Sequence, residues 1–182
     1  MVTYTHGLGD AGMRTLLRAT AASSLATFTA AFAASRLHRL VRRPATAWLL
    51  RNRRWVGLAM ALSHTFHLAA IVRLTAASPP TGAAIPVATR VAGSLGYAVL
   101  AALVVTSNDR AVERLGMRRW RLLHRSGCWI LWLIFALSYA PGATVHPGDA
   151  LALAALAGVA GLRAWGHLAE PVRSTAPGPP VL

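Results

Sequence analysis

Three histidines, His64, His67 and His124, lie inside long apolar stretches of the sequence. A polar ring in such a stretch has to be paired, so a histidine at this kind of position marks a candidate functional site. An imidazole nitrogen is a ligand for transition metals and for haem iron. Because His64 and His67 are three residues apart, a helix carries both rings on one face. A bundle whose helices carry facing imidazoles can hold a haem iron.

Two other interpretations of the same histidines stay open. The three rings could instead form hydrogen bonds between neighbouring helices, which is a common use of histidine inside a membrane. They could also converge on a divalent metal or copper ion, because coordination by imidazoles alone is chemically plausible. Spacing along the chain does not decide among these three uses.

The elements that carry these rings are predicted from composition. The 182 residues are 55% hydrophobic and 13% charged, whereas soluble domains contain about 25% charged residues. Apolar runs of about 18–22 residues match the length that a helix needs to cross about 30 Å of hydrocarbon. We therefore predict an all-α, polytopic transmembrane bundle of about five helices, forming a single domain over residues 1–173 with a Pro-rich, disordered tail at 174–182. The predicted spans are residues 16–37, 55–74, 85–105, 120–140 and 150–165.

The arginines indicate how the bundle is oriented. All 19 basic residues are arginine and the net charge is +14. Residues 36–54, which we interpret as a loop, contain seven of them, residues 108–125 contain six, and 15 in total fall on one side of the predicted bundle. Positively charged short loops stay in the cytoplasm. The pattern predicts an external N-terminus, a cytoplasmic C-terminus and a multi-pass protein of a bacterial cytoplasmic (inner) membrane. Since topology accounts for the charge, nucleic-acid binding is excluded.

Several classes of enzyme lack their residues in this sequence. Cys128 is the single cysteine, so no internal disulfide and no cysteine-based zinc or iron–sulfur site can form. There is no glycine-rich nucleotide fingerprint, no nucleophilic triad and no acidic residue in the middle of a span. We therefore predict no catalytic residue, and any redox chemistry has to take its electrons from a partner.

Two stretches of the chain resemble the ferric reductase-like transmembrane family. The first is Arg53–Leu58 followed by His67, which is similar to a family helix whose histidine binds haem. The second is Thr106–Asn108 with Leu115–Arg125, which is similar to a family loop and helix start whose histidine, here His124, also binds haem. Within the family, the stretches are similar to the haem-binding membrane subunit of the bacterial periplasmic methionine-sulfoxide reductase system.

The resemblance implies b-type haem, with His67 and His124 as iron ligands. It also implies electron transfer from a quinol or a flavin-bearing partner. The chain departs from the family at two points: Leu137 stands where a second histidine of the fourth span is usual, and Arg53 and Arg54 occupy the region of an inner histidine of the second span.

Depth along the helices leaves the ligand pair open. At about 1.5 Å per residue, His67 lies roughly 20 Å beyond Arg54, His64 roughly 15 Å beyond it, and His124 only about 5 Å beyond Arg121. Three possibilities follow. His64 and His124 form a bis-histidine site, His67 binds iron with an exchangeable or non-histidine partner such as Tyr139, or no haem is bound.

The leading hypothesis is a membrane haem b subunit that carries electrons for a partner protein or larger membrane complex, and that is at most one subunit of an oxidoreductase. Its cofactor-binding residues would be His64, His67 and His124 at the metal, with Arg54 and Arg121, beside Arg53 and Arg125, pairing with haem propionates. The alternative is a haem-free scaffold or accessory subunit of a larger membrane complex.

Overall fold

The computed structural model of the chain describes residues 10–168, and within that range every regular element is a helix. The predicted all-α fold is confirmed. The predicted tail at 174–182 lies outside the described residues. The α-helices are α1 (Asp10–Leu40), α2 (Pro44–Ala77), α3 (Pro79–Ala83), α4 (Val87–Val105), α5 (Asp109–Leu115), α6 (Met117–Tyr139) and α7 (Pro147–Leu168), with a short 3-10 helix (Ala140–Gly142) after α6.

Four of the described helical segments are long and apolar enough to cross a membrane: residues 44–77, 87–105, 117–142 and 147–165. They correspond to the second to fifth predicted spans. The predicted first span forms α1 but does not belong to this group, because Thr and Ser interrupt its apolar residues. The hydroxyl groups of Thr27 and Thr29 donate to carbonyl oxygens one turn earlier in α1. The helix thereby satisfies these polar groups internally.

Helix α2 is longer than its predicted span because it begins at Pro44. Proline suits the first position of a helix, where its fixed φ is already helical and no N–H is needed. The interpretation of residues 36–54 as a loop is therefore wrong. Only residues 41–43 join α1 to α2, and the arginines from Arg51 to Arg54 lie on the first turns of α2.

Gly116 separates α5 from α6 and has a φ of 75°. This left-handed conformation is readily accessible only to glycine. The Gly116 N–H donates to the carbonyl oxygen of Val112 at 2.9 Å and closes α5. The helix that carries His124, α6, begins at the next residue, Met117.

The helices pack in a bundle in which α1 lies along α2 and also contacts α7, while α6 contacts α4 and α7. The core contains Phe28, Phe32, Met60, Leu100, Leu131, Phe135 and Leu156. Within an apolar 18-residue stretch of each of the four segments, only 11–17% of the residues are buried inside the protein. Leu62, Phe66 and Leu151 are 61%, 58% and 73% exposed. Such an apolar exterior is suited to lipid rather than to water, and the chain is a membrane protein.

Candidate cofactor site

A cavity of about 780 Å³ lies at the end of the bundle where α2 and α6 begin. Its volume is within the range of about 300–1,000 Å³ that is typical of pockets for small molecules. Apolar side chains form much of its wall, including Phe28, Phe32, Leu58, Met60, Leu100, Leu103 and Leu131. Five arginines also border it: Arg53, Arg54, Arg121, Arg125 and Arg163. We call it the Arg-lined cavity.

His124 lines this cavity from the second turn of α6. Its ring stacks on that of Trp120, with 4.3 Å between the ring centroids. Its Nε2 lies 3.0 Å from the hydroxyl oxygen of Thr106, just beyond the end of α4. The indole Nε1 of Trp120 donates to the carbonyl oxygen of the same threonine at 2.9 Å. Thr106 therefore holds both rings with its own two oxygen atoms.

The hydrogen bonds of Thr106 determine the tautomer of His124. The threonine hydroxyl donates to the carbonyl oxygen of Ala102 at 2.7 Å, so its one proton is already used and it accepts from His124. Nε2 of His124 consequently carries the proton. The lone pair that could bind a metal is then on Nδ1.

His64 and His67 lie farther along α2, toward the opposite end of the bundle, and neither lines the Arg-lined cavity. Their rings stack on each other, with 5.2 Å between centroids and 13° between planes. His64 also stacks on Tyr97 of α4 at 4.9 Å, and the Tyr97 hydroxyl donates to the His64 carbonyl oxygen at 3.1 Å. The pair thus forms part of the contact between α2 and α4.

The two rings differ in their hydrogen bonds. Nδ1 of His67 lies 3.2 Å from the carbonyl oxygen of Leu17 and 3.0 Å from the Thr20 hydroxyl, both on α1. Since a carbonyl oxygen only accepts, Nδ1 carries the proton and Nε2 has the lone pair, which is the tautomer usual for metal-binding histidines. Nδ1 of His64, in contrast, is buried and has no hydrogen-bond partner among the described residues.

The structure therefore gathers three of the five predicted site residues, His124, Arg54 and Arg121, around one cavity, and it pairs His64 with His67 outside that lining. Within residues 10–168, no group of three or more His, Cys, Asp or Glu side chains is arranged to hold a metal ion. The three-histidine metal site considered from the sequence is thus not formed by the described residues.

The charges at the cavity are unevenly matched. The one carboxylate on its border in the described part of the chain is Asp109, 3.4 Å from Nη1 of Arg54. The side chain of Asp109 is 94% exposed, so water screens this pair and it contributes little to stability. The cavity border consequently keeps a positive excess.

Two residues of the site were not singled out from the sequence. Thr106 lies inside the second family-like stretch but was not assigned a role. Arg163 is one of the 15 arginines that the sequence analysis uses only to indicate topology, although it lies inside a helix that is apolar enough to span a membrane. An arginine within such a helix is a functional-site signal in its own right.

Comparison with protein families gives one match to this chain. The family model described as "Ferric reductase like transmembrane component" matches residues 18–135. The matched region begins in α1, ends in α6 and contains all five predicted site residues. No curated protein and no solved structure matches the chain.

Proposed function

Because the chain belongs to the ferric reductase-like transmembrane family, we propose that it is a membrane electron-transfer subunit that binds haem b in the Arg-lined cavity. The main support for haem binding is one observation. Within the region that matches the family, a cavity of about 780 Å³ combines apolar walls, the ring of His124 and several arginines. A porphyrin needs the same three features: an apolar slot, an axial ligand and partners for its acidic groups.

The residues present fit this cofactor. Most of the side chains that line the cavity are apolar, which suits the face of a macrocycle, and Gly57 leaves open space where a side chain would otherwise project. His124 offers one unprotonated ring nitrogen, Nδ1, whereas Nε2, the nitrogen that metal-binding histidines usually use, donates to Thr106. Arg54 and Arg121 border the cavity and have the planar fork that binds a carboxylate through two hydrogen bonds. A bound haem would supply a one-electron couple whose potential depends on ligands, burial and nearby charge.

His124 is the proposed iron ligand, because it is the one candidate histidine on the lining of the cavity. The His64 ring contacts the Phe135 ring with 5.6 Å between centroids, and Phe135 lies about 16 Å beyond His124 along α6. One iron therefore cannot bind both rings in this arrangement of the helices. His67, a ligand that the resemblance implies, lies farther along α2 than His64 and is also outside the lining.

The electron donor and acceptor are proposed to be other molecules. The chain has no flavin or nicotinamide fingerprint, so the donor would be a quinol or a flavin-bearing partner. The likeness to the membrane subunit of the methionine-sulfoxide reductase system supports a redox partner protein and a bacterial cytoplasmic membrane. The arginine distribution supports a cytoplasmic C-terminus and an external N-terminus.

Optical spectra of the purified protein, oxidised and dithionite-reduced, test this function. The protein is expressed with added haem as wild type, His124→Ala, His64→Ala and His67→Ala. His146→Ala is the matched control, since that exposed histidine lies between α6 and α7. We expect a Soret band in wild type and the control, loss of most of it in His124→Ala, and a band like that of the wild type in His64→Ala and His67→Ala. A colourless wild type, or an unchanged His124→Ala spectrum, would contradict the proposal.

A second candidate function is a haem-free subunit or scaffold of a larger membrane complex. The observation in its favour is that His67 and His124 each bond to a threonine of another segment, Thr20 and Thr106. Such bonds are what histidines used only for packing would make. This function predicts a colourless protein that co-purifies with a larger complex and is destabilised equally by His67→Ala and His124→Ala.

A further inference from the structure

Arg163 brings a positive charge to the wall of the Arg-lined cavity from α7, outside the region that matches the family. Its Nη1 donates to the carbonyl oxygen of Phe32 on α1 at 2.8 Å. Its guanidinium carbon lies 4.1 Å from the centroid of the Phe32 ring and 5.8 Å from a ring of Trp129 on α6. A hydrogen bond and two aromatic contacts therefore hold the guanidinium in place.

The position of Arg163 is costly without an anionic partner. It lies in the segment 147–165, which is apolar enough to cross a membrane, and its side chain is partly buried. A charge in such surroundings is tolerated when it is paired. Asp109, the carboxylate on the cavity border in the described part of the chain, is bonded to Arg54 instead. A guanidinium has five N–H donors, and the carbonyl oxygen of Phe32 takes one of them.

The cavity as a whole has the character of a site for an amphiphile. Its border carries five arginines and one aspartate among the described residues. Its wall also contains apolar side chains from α1, α2, α4 and α6, such as Phe28, Met60 and Leu131. An apolar body among these side chains would leave its acidic group within the arginine cluster. Basic pockets between membrane helices are known to bind acidic lipid head groups in this way.

We propose that Arg163 binds the acidic group of an amphiphile that lies in the Arg-lined cavity. The group is a carboxylate or a phosphate, since both accept two parallel hydrogen bonds from a guanidinium. A haem propionate and an anionic phospholipid are the two sources of such a group. The inference depends on the cavity and its charge and not on iron, so it can succeed or fail separately from the proposed haem function.

The experiment compares Arg163→Gln with Arg163→Lys and with a charge-matched control. Arg90→Gln is that control, because Arg90 is exposed, donates to the carbonyl oxygen of Ile85 at 3.0 and 3.1 Å, and lies outside the cavity. The full chain is reconstituted in nanodiscs of phosphatidylcholine and phosphatidylglycerol and loaded with haem. One measurement is the rate of haem transfer to apomyoglobin. The other is the ratio of the two lipids that remain bound after extraction in mild detergent, by mass spectrometry.

The two measurements identify the source of the acidic group. If it is a propionate, haem leaves Arg163→Gln about tenfold faster than wild type, the size of effect expected for one charge-assisted hydrogen bond. If it is a phosphate, the retained phosphatidylglycerol falls by about the same factor. Arg163→Lys keeps the positive charge but lacks the planar guanidinium that donates two parallel hydrogen bonds, so we expect a smaller change. This variant replaces Arg163→Gln if the glutamine variant does not fold.

The inference is overturned if both measurements on the Arg163 variants equal those on Arg90→Gln. The proposed haem function fails on its own if the wild type binds no haem while phosphatidylglycerol retention still depends on Arg163. Absence of both effects would reject Arg163 as an anion-binding residue, whether or not haem is present.

Discussion

The hydroxyl oxygen of Thr106 lies 3.0 Å from Nε2 of His124. The same threonine accepts the indole N–H of Trp120 through its carbonyl oxygen at 2.9 Å. Thr106, the first residue after α4, thus orients the rings of Trp120 and His124, which are one turn apart on the same face of α6. This contact gives a physical reason for the threonine, tryptophan and histidine of the second family-like stretch to occur together.

Thr106→Val tests whether this contact orients His124. Valine keeps the shape of the side chain but removes the acceptor, so the His124 N–H loses its partner. We expect the free energy of unfolding to fall by about 1–2 kcal/mol, measured by denaturant titration in detergent, and the haem spectrum to broaden as the ring becomes mobile. Thr65→Val is the control, because the Thr65 hydroxyl donates within its own helix to Ala61. Equal losses in the two variants would show that the bond to His124 contributes nothing.

The bond between Thr20 and His67 is expected to hold α1 against α2. Thr20 is buried, and its hydroxyl also donates to the Leu16 carbonyl oxygen. Thr20→Val should lower the free energy of unfolding by about 1 kcal/mol, since one acceptor of the His67 N–H is lost while the Leu17 carbonyl oxygen remains. A double-mutant cycle with His67→Phe measures the coupling directly.

Thr29→Val serves as the control for this cycle, because the Thr29 hydroxyl donates to carbonyl oxygens of its own helix. A coupling energy near zero between residues 20 and 67 would contradict the role given to their bond. A coupling of similar size between residues 29 and 67 would show that the effect is not specific to the contact.

The close approach of α4 and α6 depends on Gly127. A Cβ at this position would lie 2.9 Å from Cδ2 of Leu103, a buried side chain on the cavity wall. We expect Gly127→Ala to lower the free energy of unfolding by about 1 kcal/mol through overpacking. Leu103→Ala removes the side chain that causes the overpacking, so the loss in the double variant should be smaller than the sum of the two single losses. Gly158→Ala should be neutral or stabilising, since a Cβ there meets nothing within 4 Å. Destabilisation of both glycine variants by the same amount would contradict this explanation.

Thiol labelling tests the orientation of the bundle. In a Cys128→Ser background, single cysteines replace Glu113 on α5 and Val145 between α6 and α7, both exposed positions. The positive-inside rule predicts that a membrane-impermeant reagent labels the cysteine at 145 in intact cells, and the cysteine at 113 only after the membrane is permeabilised. The reverse pattern would place the arginines outside and contradict the predicted topology.

The positions of the helices could be predicted because the apolar runs match the thickness of a bilayer. Their ends could not be predicted as well, since hydropathy reports where the lipid begins and not where the helix begins. The charged run from Arg51 to Arg54 therefore favours a loop by hydropathy, although arginine is a good helix former and Pro44 starts the helix before it.

The candidate site could be predicted only in part. Histidines in apolar runs can be recognised from the sequence alone. Their hydrogen-bond partners cannot, because these depend on which residue of another helix lies opposite. Thr20 is 47 residues from His67, and no spacing rule connects the two. From the sequence, Arg163 indicates only topology for a related reason, because its contacts with Phe32 and Trp129 exist only once three helices have packed together.

The length of α2 has a consequence for where the cavity opens. Its 34 residues extend about 51 Å at about 1.5 Å per residue, whereas the hydrocarbon layer is about 30 Å thick. Tilt alone would need an angle near 54°, above the range of about 0–40° seen for membrane helices. One end of α2 must therefore protrude, and its arginine-bearing first turns, with Trp48 and Trp55 exposed, suit the head-group layer. The mouth of the cavity then lies within about one Debye length of water, so ionic strength and the surface charge of the membrane will both influence what enters it.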